Sequence, residues 1–470
     1  MKPLPTEFVK RMKSLLGEEG FARYERALTE PQPRALRVNT DKLSCEEFEK
    51  AVDFRVEKIP YAESGYYFEC DKIGNHPFHH AGMIYAQEGA AMMPAECIEI
   101  QPDWRILDLC AAPGGKSTQL KNKLGERGLL VSNEIDHSRC RILAGNIERL
   151  GLKNTVVTCN TPDAVASALP ESFDMIMVDA PCSGEGMFRK EEVAIIEWSV
   201  GNVLHCAERQ SMILECAHRA LKKGGYIVYS TCTFSLEENE MTVDAFISRH
   251  PEYEILPVRA EVAAHSEDGI VFDGCGCDRM HLTRRFYPHT GRGEGQFMAL
   301  LRNTAEAPDQ PTAPVRYEKR SRKKGGSEKA SDKVKKPDFT TVIDFLRDTL
   351  VSFDEGALKM RGDIPCLFDA ELDTSGLTAI SVGVAVGEVK RNYILPYHSL
   401  FMAYGKDFKR RIDLSPDSEE LKKFLHGEEF MTDSENGWTA VTVCGCPVGG
   451  VKVVGGVAKN HYPKGLRTLG

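Results

Sequence analysis

The chain has 470 residues, of which 42% are hydrophobic and 27% are charged, and its formal net charge is -9. It contains no apolar run long enough for a transmembrane helix and no basic and apolar signal at Met1, so we expect a cytoplasmic protein without membrane contact. The length suggests roughly three domains. The fifteen cysteines are an odd number without framework spacing and fit reduced thiols in a protein that we expect to be a monomer.

Residues 1–75 predict a small mixed α/β module. Apolar side chains recur there at helical spacing, and the segments 56–60 and 65–69 resemble short strands. The next stretch, 79–100, carries Gln87 and Glu88 in front of a segment rich in alanine and methionine, which predicts a core helix before the first strand of a larger sheet.

The stretch 107–117 reads LDLCAAPGGKS, which predicts a buried strand, a turn of small residues and the start of a helix. Such a turn brings a ligand onto backbone N–H groups in doubly wound α/β proteins. Its end matches a phosphate-binding P-loop, but Cys110 stands where that motif begins with glycine, and the spacing of a dinucleotide fingerprint is missing. The turn therefore favours a nucleoside-bearing cofactor, with a plain strand-to-helix connection as the alternative.

Strands and helices alternate after this turn. We predict helices over 138–150 and 207–221, and strands over 105–109, 129–134, 155–158, 174–179, 226–231 and 296–302. This alternation indicates an α/β fold with a mostly parallel sheet, in which ligands bind at the carboxyl ends of the strands. Glu134 ends the second of these strands, where a carboxylate can accept hydrogen bonds from ribose hydroxyls.

Two of the predicted strands run into loops that carry a cysteine. Cys182 lies in VDAPCSGEGMFRK and Cys232 lies in YSTCTFSLEENE. A lone cysteine is usually a small buried hydrophobic residue, but two at corresponding strand ends point to shared chemistry. A thiolate is a strong nucleophile when nearby positive charge lowers its pKa, and Arg189 and Lys190 are candidates for that charge.

Four sequence blocks follow one another along the chain, namely DLCAAPGGKS, NEIDHSR, DAPCSGEGMFRK and STCTFSLEENE. Together they resemble the signature blocks of the Nop/Sun family of S-adenosylmethionine-dependent RNA 5-methylcytosine methyltransferases. The tail GGVAKNHYPKGLR resembles the PUA-like end of the bacterial RsmF branch, which acts on small-subunit ribosomal RNA. The resemblance implies a Rossmann-like class I methyltransferase core, a small N-terminal α/β module, and C-terminal α+β and PUA-like β-barrel domains.

The same resemblance implies roles for individual residues. Cys232 would be the nucleophile, Cys182 would help to release the product, and Asp179 would lie between cofactor and target base. The residues alone leave the order of the two cysteines open, because DNA cytosine methyltransferases use the one that follows proline. The residues implied to hold S-adenosylmethionine are Cys110, Ala111, Ala112, Pro113, Gly114, Gly115, Lys116, Glu134, Arg139, Thr161 and Asp179.

Two further segments bear on this site. Where relatives often place an aspartate near the adenine, this chain reads CNTPD over 159–163, so that Thr161 or Asp163 would make that contact or the contact would be lost. The block RRFYPHTGRGEGQF resembles a family segment near the site, and the side chains that it offers to RNA are Arg284, Arg285, His289 and Arg292. For His289, a structural hydrogen bond is the favoured interpretation.

We divide the chain into an N-terminal RNA-recognition module, a methyltransferase domain, a basic flexible linker, an intermediate domain and a PUA-like RNA-binding domain, with the bounds 1–75, 76–303, 304–337, 338–413 and 414–470. Within the linker, ten Lys or Arg residues face three acids over 316–336, and this local distribution matters more than the net charge of the whole chain. A solvated tether is slightly favoured over an arm that contacts RNA.

The expected partner is ribosomal RNA or the small ribosomal subunit, and the expected reaction is methylation of cytosine C5. One alternative is a tRNA-specific relative, and the only argument against it is the resemblance of the C-terminal segment GGVAKNHYPKGLR to the RsmF branch. Another is a non-catalytic RNA-binding or ribosome-assembly factor, which would not need the cysteine pair with Asp179. We expect no metal, because the C-x-C pairs at 275–277 and 444–446 lack a matching second pair.

Overall fold

A computed structural model describes residues 2–306, 339–391 and 393–468. The predicted basic linker, 304–337, lies almost entirely outside the described residues. Within the described ranges, none of the helices combines the length and the apolar character that crossing a bilayer would need.

The N-terminal part of the chain is a four-stranded antiparallel sheet, in the order β2-β3-β1-β4, with a long helix before it. Its elements are α1 (Thr6–Thr29), β1 (Ala35–Val38), α2 (Cys45–Ala51), β2 (Arg55–Lys58), β3 (Gly65–Glu69), α3 (Pro77–His80), β4 (Ile84–Ala86) and α4 (Met93–Glu96). The strands predicted at 56–60 and 65–69 are confirmed.

One prediction for this region is wrong. The N-terminal sheet extends past the predicted boundary at residue 75, because β4 pairs with β1. The helix predicted after Gln87 and Glu88 is present but short: Ala90–Met92 form one 3-10 turn, and Met93–Glu96 form α4. Gly82 has a φ of 62° and packs so closely on the backbone of Arg149 that a side chain would not fit.

The next part of the chain forms a large mixed sheet with helices on its faces. Its elements are β5 (Arg105–Asp108), α5 (Gly115–Lys123), β6 (Leu129–Asn133), α6 (His137–Leu150), β7 (Thr155–Thr158), α7 (Pro162–Ala168), β8 (Phe173–Asp179), α8 (Glu192–Glu197), α9 (Val200–Ala220), β9 (Leu221–Thr231), α10 (Glu240–Arg249), β10 (Tyr253–Leu256), α11 (Ala260–Ala263), β11 (Glu267–Asp268), β12 (Arg284–Phe286) and β13 (Gln296–Asn303). All six predicted strands are present, within a few residues of the predicted bounds.

The centre of this sheet is parallel, as predicted. Strands β9, β8, β5, β6 and β7 lie side by side in that order and run in one direction, while β13 adds an antiparallel strand beside β9. Their apolar residues, such as Leu107, Val131 and Ile227, are buried on both faces, which explains the near-continuous hydrophobic runs in the sequence. The carboxyl ends of β5, β6, β8 and β9 therefore meet at one edge.

The C-terminal part builds smaller sheets. Its elements are α12 (Thr340–Thr349), β14 (Leu358–Arg361), β15 (Ile364–Leu367), β16 (Ala379–Val382), β17 (Val384–Ala385), β18 (Gly387–Val389), β19 (Ile394–Pro396), α13 (His398–Tyr404), β20 (Arg411–Leu414), α14 (Glu419–His426), β21 (Phe430–Met431), β22 (Gly437–Val443), β23 (Cys446–Val454) and β24 (Val457–Asn460). Strand β16 pairs with β7 at the edge of the large sheet, so the intermediate region is not separate from the methyltransferase core. The predicted boundary at 413 falls inside β20, which pairs with β22 in the C-terminal five-stranded sheet.

The N-terminal module and the C-terminal sheet share one hydrophobic core. Leu36, Phe48 and Phe78 of the module cluster with Phe424 and Val441 of the C-terminal part. The two ends of the chain therefore stabilise each other through burial of apolar surface that neither buries alone.

Lys42 lies buried at this junction. Its Nζ donates hydrogen bonds to the carbonyl oxygens of Ala81, at 2.6 Å, and of Pro447, at 3.3 Å. Burial disfavours the charged ammonium and lowers the pKa of Lys42 from 10.5 to about 7. In the folded protein this amine therefore releases its proton at a lower pH than in the unfolded chain.

We expect Lys42→Met to flatten the alkaline stability profile. Above pH 7 the unfolded chain holds a proton on Lys42 that the folded chain has released, so the free energy of unfolding rises with pH up to about 10.5. Between about pH 7.5 and 9, wild type should gain about 1 to 2 kcal/mol relative to Lys42→Met in urea denaturation. The exposed Lys50 gives the control variant Lys50→Met, which should keep the wild-type slope. Parallel profiles for wild type and Lys42→Met would contradict the prediction.

Candidate active site

A cavity of about 830 Å³ opens at the edge where the central strands end. One half is lined by the loops after β5, β6 and β7, and the other half by the loops after β8 and β9 together with α8 and α9. A cavity of this size can hold a nucleoside-bearing ligand and a second small group side by side. The predicted site residues that line it are Cys110, Ala112, Glu134, Arg139, Thr161, Asp179, Cys182 and Cys232.

The turn after β5 shapes the first half of the cavity. Gly114 has a φ of 113°, and a Cβ there would lie 3.1 Å from the side chain of Leu143, so glycine suits both the conformation and the space. The N–H of Ala111 donates to the carbonyl oxygen of Asn133 at 2.8 Å and ties the turn to β6. Five of the predicted cofactor-binding residues support the turn without lining the cavity themselves, namely Ala111, Pro113, Gly114, Gly115 and Lys116.

Glu134 places a carboxylate at the end of β6. The residue is only 3% exposed, and its Oε1 accepts a hydrogen bond from the N–H of Asp136 at 3.0 Å. Arg139 lies 3.4 Å from its Oε2 and also donates to the carbonyl oxygen of Ala112 at 2.8 Å. This fixed carboxylate beside a glycine turn fits the ribose and amino-acid portions of S-adenosylmethionine, which need hydrogen-bond acceptors and close backbone approach.

The two candidates for the adenine side differ in what they already bind. Thr161 caps α7, where its Oγ1 accepts from the N–H of Ala164 at 3.2 Å, so its hydroxyl proton remains available to the cavity. Asp163 forms an ion pair of 2.6 Å with Arg219 on a largely exposed surface. Thr161 thus keeps a hydrogen-bond donor at the cavity wall, whereas the carboxylate of Asp163 is already paired.

The second half of the cavity brings both predicted cysteines together. The sulfur atoms of Cys182 and Cys232 lie 3.3 Å apart, although 50 residues separate them in the sequence. The hydrogen bond to Cys232 and burial raise the pKa of the Cys182 thiol well above its usual range. Cys182 is therefore a neutral thiol whose proton can be donated to the neighbouring sulfur.

Lys116 and Asp179 form a charged pair beside the two thiols. Lys116 Nζ lies 2.8 Å from Asp179 Oδ2, and Ser230 donates to Asp179 Oδ1 at 2.8 Å. Burial acts to lower the pKa of Lys116, but the charge of Asp179 and the nearby Cys232 outweigh it and raise that pKa. Lys116 is therefore a cation that lies close to Cys232.

The expectation that Arg189 and Lys190 supply this charge is wrong. Arg189 is buried and lies 3.0 Å from Glu294, while it donates to the carbonyl oxygen of Ala27 at 3.0 Å. Its charge serves to hold α1 against the core, and Lys190 is exposed. Phe188, which precedes them, packs against Phe8 as a buried core residue.

The block 284–297 exposes fewer of its basic side chains than predicted. Arg285 is buried in an ion pair with Glu240, and Arg284 pairs with Asp268, so the assignment of these two arginines to RNA is wrong. Each guanidinium instead satisfies a neighbouring carboxylate within the fold. Arg292 is half-exposed and lies over the ring of Tyr67.

The ring of His289 packs against Tyr24 and Tyr287. Its buried Nδ1 has no hydrogen-bond partner among the described residues, so the predicted structural hydrogen bond is not present at that atom.

The sequence predicted no metal site. In the described part of the chain, the one group of three metal-ligand types that comes together is His218, His250 and Glu252. Its histidines already contact Tyr253 at 3.1 Å and Glu215 at 2.8 Å, which explains the cluster as a hydrogen-bonded network.

Sequence reasoning missed two buried carboxylates that connect the cysteine loops. Glu185 lies three residues after Cys182, and Glu238 lies six residues after Cys232. Both are almost fully buried and hydrogen-bonded to residues of the two loops. The available signal was their position inside the same sequence blocks as the cysteines.

Comparison with known families and proteins agrees with this architecture. Residues 95–302 match the family described as 16S rRNA methyltransferase RsmB/F, residues 4–89 match the N-terminal domain of 16S rRNA methyltransferase RsmF, and residues 411–468 match the methyltransferase RsmF PUA domain. A solved methyltransferase homolog from Pyrococcus horikoshii is 29% identical with a TM-score of 0.56, over 64% of this chain and 95% of its own. NSun6 from the same organism, at 23% identity and a TM-score of 0.55, shares the fold over 64% of this chain and 99% of its own.

Relatives of known identity extend over nearly the whole chain. Ribosomal RNA small subunit methyltransferase F of Klebsiella pneumoniae (strain 342) is 30% identical, over 98% of this chain and 96% of its own. The protein of the same name from Enterobacter sp. (strain 638) is 31% identical, over 98% and 95% respectively. With the site fitting S-adenosylmethionine, the chain belongs to the family of ribosomal RNA small subunit methyltransferase F, whose members use that cofactor.

Proposed function

We propose that this protein transfers a methyl group from S-adenosylmethionine to C5 of a cytosine in small-subunit ribosomal RNA. The observation that carries the proposal is the pair of sulfur atoms 3.3 Å apart, from Cys182 and Cys232, in the cavity that also holds Asp179 and Glu134. The names of the relatives support ribosomal RNA as the substrate.

The reaction explains why a thiol is needed. Cytosine C5 is too weak a carbon nucleophile to take a methyl group directly, and addition of a thiolate at C6 makes C5 enamine-like. We assign this addition to Cys232, which lies close enough to the Lys116 ammonium group to help raise the pKa of Lys116. When bound, S-adenosylmethionine supplies an electrophilic methyl group.

Asp179 is suited to hold the polar edge of the base. Its carboxylate is fixed on one oxygen by Ser230 and on the other by Lys116, and its side chain remains 34% exposed towards the cavity. A carboxylate held in this way can favour protonation of the cytosine ring at N3 while the thiolate adds to C6. Asp179 would thus orient the base against Cys232.

Cys182 is suited to release the product. Release breaks the bond between Cys232 sulfur and C6, and removes the proton from C5. The neutral Cys182 thiol can give its proton to the departing sulfur and, as a thiolate, can accept the C5 proton, which restores both thiols. Its raised pKa and the short sulfur–sulfur distance support this exchange.

The target cytosine must leave any duplex to enter the cavity, because C6 of a stacked base cannot reach a thiolate. We assign RNA capture to the N-terminal module and the PUA domain, which pack together. The exposed basic side chains of the PUA domain include Lys452, Lys459, His461 and Lys464. Such a surface attracts the phosphate backbone.

The proposal is tested with purified protein, S-adenosylmethionine and three separate RNA substrates. Small ribosomal subunits lacking the modification, tRNA and large-subunit RNA are incubated in parallel, and their nucleosides are separated by mass spectrometry. We expect 5-methylcytidine in the small-subunit RNA at a rate at least about tenfold above the others. Methylation confined to tRNA would move the function to the tRNA-specific alternative. RNA binding without methylation of any substrate would favour a non-catalytic assembly factor.

A further inference from the structure

Glu238 connects the loops that carry the two cysteines. Its Oε2 accepts hydrogen bonds from the backbone N–H of Ser183 and from the side chain of Gln210, each at 2.9 Å. Its Oε1 contacts the hydroxyl oxygens of Ser183 and Ser235, and also that of Thr233 at 3.4 Å. Ser183 directly follows Cys182, so this carboxyl group fixes the backbone beside that thiol.

Glu185 holds the other loop from the opposite end. Its Oε2 accepts from the N–H of Phe234 and from the hydroxyl of Thr233, both at 2.8 Å, and its Oε1 accepts from the indole N–H of Trp198 at 2.9 Å. Thr233 directly follows Cys232. Each cysteine is thus followed by a hydroxyl residue that contacts a buried glutamate.

The two hydroxyl residues also contact each other. The oxygens of Ser183 and Thr233 lie 2.8 Å apart, which completes an unbroken chain from Glu238 through both hydroxyls to Glu185. Three oxygen–oxygen contacts in this chain need three hydrogen-bonding protons, and the two hydroxyl groups supply only two. A third proton must therefore reside on one of the carboxyl groups.

The neighbours of each carboxyl group decide where that proton lies. Both oxygens of Glu185 face N–H groups, which can only donate, so this group is suited to the ionised form. Glu238 Oε1 contacts only hydroxyl oxygens, which can accept a hydrogen bond, and its N–H donors all lie on Oε2. Burial also raises the pKa of Glu238.

We infer that Glu238 is a protonated positioning residue, which holds Cys182 and Cys232 in register through the chain Ser183, Thr233 and ionised Glu185. The inference rests on the proposed function, because it concerns the same two thiols. Neither glutamate lines the cavity, so both act on the reaction through the loops that they connect. Turnover should therefore depend on the hydrogen-bonding pattern of these carboxyl groups more than on their charge.

Two isosteric variants test the inference, because glutamine reproduces a protonated glutamate but not an ionised one. In Glu238→Gln, the amide N–H can donate to Ser183 and the amide oxygen can accept from the two N–H groups, so kcat should stay within about threefold of wild type. In Glu185→Gln, the amide N–H must face an N–H donor, and kcat should fall by about 10- to 100-fold. In Glu238→Ala, kcat should fall by as much as in Glu185→Gln. Glutamine at position 238 should therefore preserve turnover, whereas alanine should not.

Controls separate positioning from misfolding. S-adenosylmethionine titration should give wild-type affinity in every variant, and Glu96→Gln, at a buried carboxylate paired with Lys123, should keep wild-type kcat. Ser183→Ala should slow release of the covalent RNA adduct, whereas Thr233→Val should slow its formation, since each hydroxyl supports its own cysteine.

Three results would overturn the inference. Equal losses in Glu238→Gln and Glu238→Ala would show that Glu238 is ionised, and a tolerated Glu185→Gln beside an inactive Glu238→Gln would place the proton on Glu185. If both hydroxyl variants slowed the same step, the link between each hydroxyl and its cysteine would be wrong. A wild-type protein that makes no 5-methylcytidine would instead refute the proposed function, so the two failures are distinguishable.

Discussion

Replacing Cys232 by alanine should abolish both methylation and the covalent protein–RNA adduct, whereas Cys182→Ala should accumulate that adduct. Without the Cys232 sulfur nothing adds to C6, and turnover should fall by about 1,000-fold or more. Without Cys182 the addition still occurs, but the neighbouring thiol that exchanges protons during release, 3.3 Å away in wild type, is missing. Denaturing gels with labelled RNA measure the adduct, and methyl transfer measures turnover.

The matched control for these variants is Cys216→Ala. Cys216 also lines the cavity, but it lies on α9 next to Arg219 and away from the charged pair. Cys216→Ala should keep kcat within about twofold of wild type, because a larger loss of kcat would require Cys216 to contact the reacting atoms. An adduct that persists in Cys232→Ala and disappears in Cys182→Ala would exchange the two assignments.

Asp179→Asn should reduce kcat by about 100- to 10,000-fold while leaving the affinity for S-adenosylmethionine within a few-fold of wild type. The substitution keeps the shape of the side chain but removes the charge that orients the base and that pairs with Lys116 at 2.8 Å. It also leaves Lys116 as a buried cation without its partner. Steady-state kinetics together with calorimetric titration of the cofactor separates the two effects.

The other end of the same strand provides the control for this substitution. Asp174, the second residue of β8, forms an ion pair of 2.6 Å with Lys222 and accepts a hydrogen bond from the N–H of Arg105. Asp174→Asn should lower stability but leave kcat unchanged, because its pair lies outside the cavity. If Asp174→Asn lowered kcat as much as Asp179→Asn, the loss would reflect the integrity of β8 and not the orientation of the base.

The sequence was sufficient to predict the parallel core and the meeting of the cysteines. Alternating strands and helices require the loops after β8 and β9 to share one edge of the sheet, so Cys182 and Cys232 had to approach each other. The direction of long side chains did not follow from the same pattern. Arg189 adjoins the cysteine block in sequence but turns towards Glu294, whereas Lys116 reaches the site from the cofactor turn.

The local sequence pattern did not predict the domain boundaries correctly either. Three strands, β4, β16 and β20, pair with partners that lie across a predicted boundary, and such pairing depends on contacts between distant parts of the chain. The shared core of the N-terminal module and the PUA domain has the same origin. One consequence is practical: removing the chain from residue 339 onward would strip an edge strand from the methyltransferase sheet and expose the core of the module.

The identity of the attacking sulfur is the central claim, and it can be measured on the trapped complex. Cys182→Ala is incubated with small-subunit RNA and S-adenosylmethionine, digested with protease and nuclease, and the peptide that carries a nucleotide is sequenced by mass spectrometry. We expect one modified peptide, with the nucleotide on the sulfur of Cys232. A nucleotide on any other residue, or turnover without an adduct in this variant, would contradict the division of labour between the two cysteines.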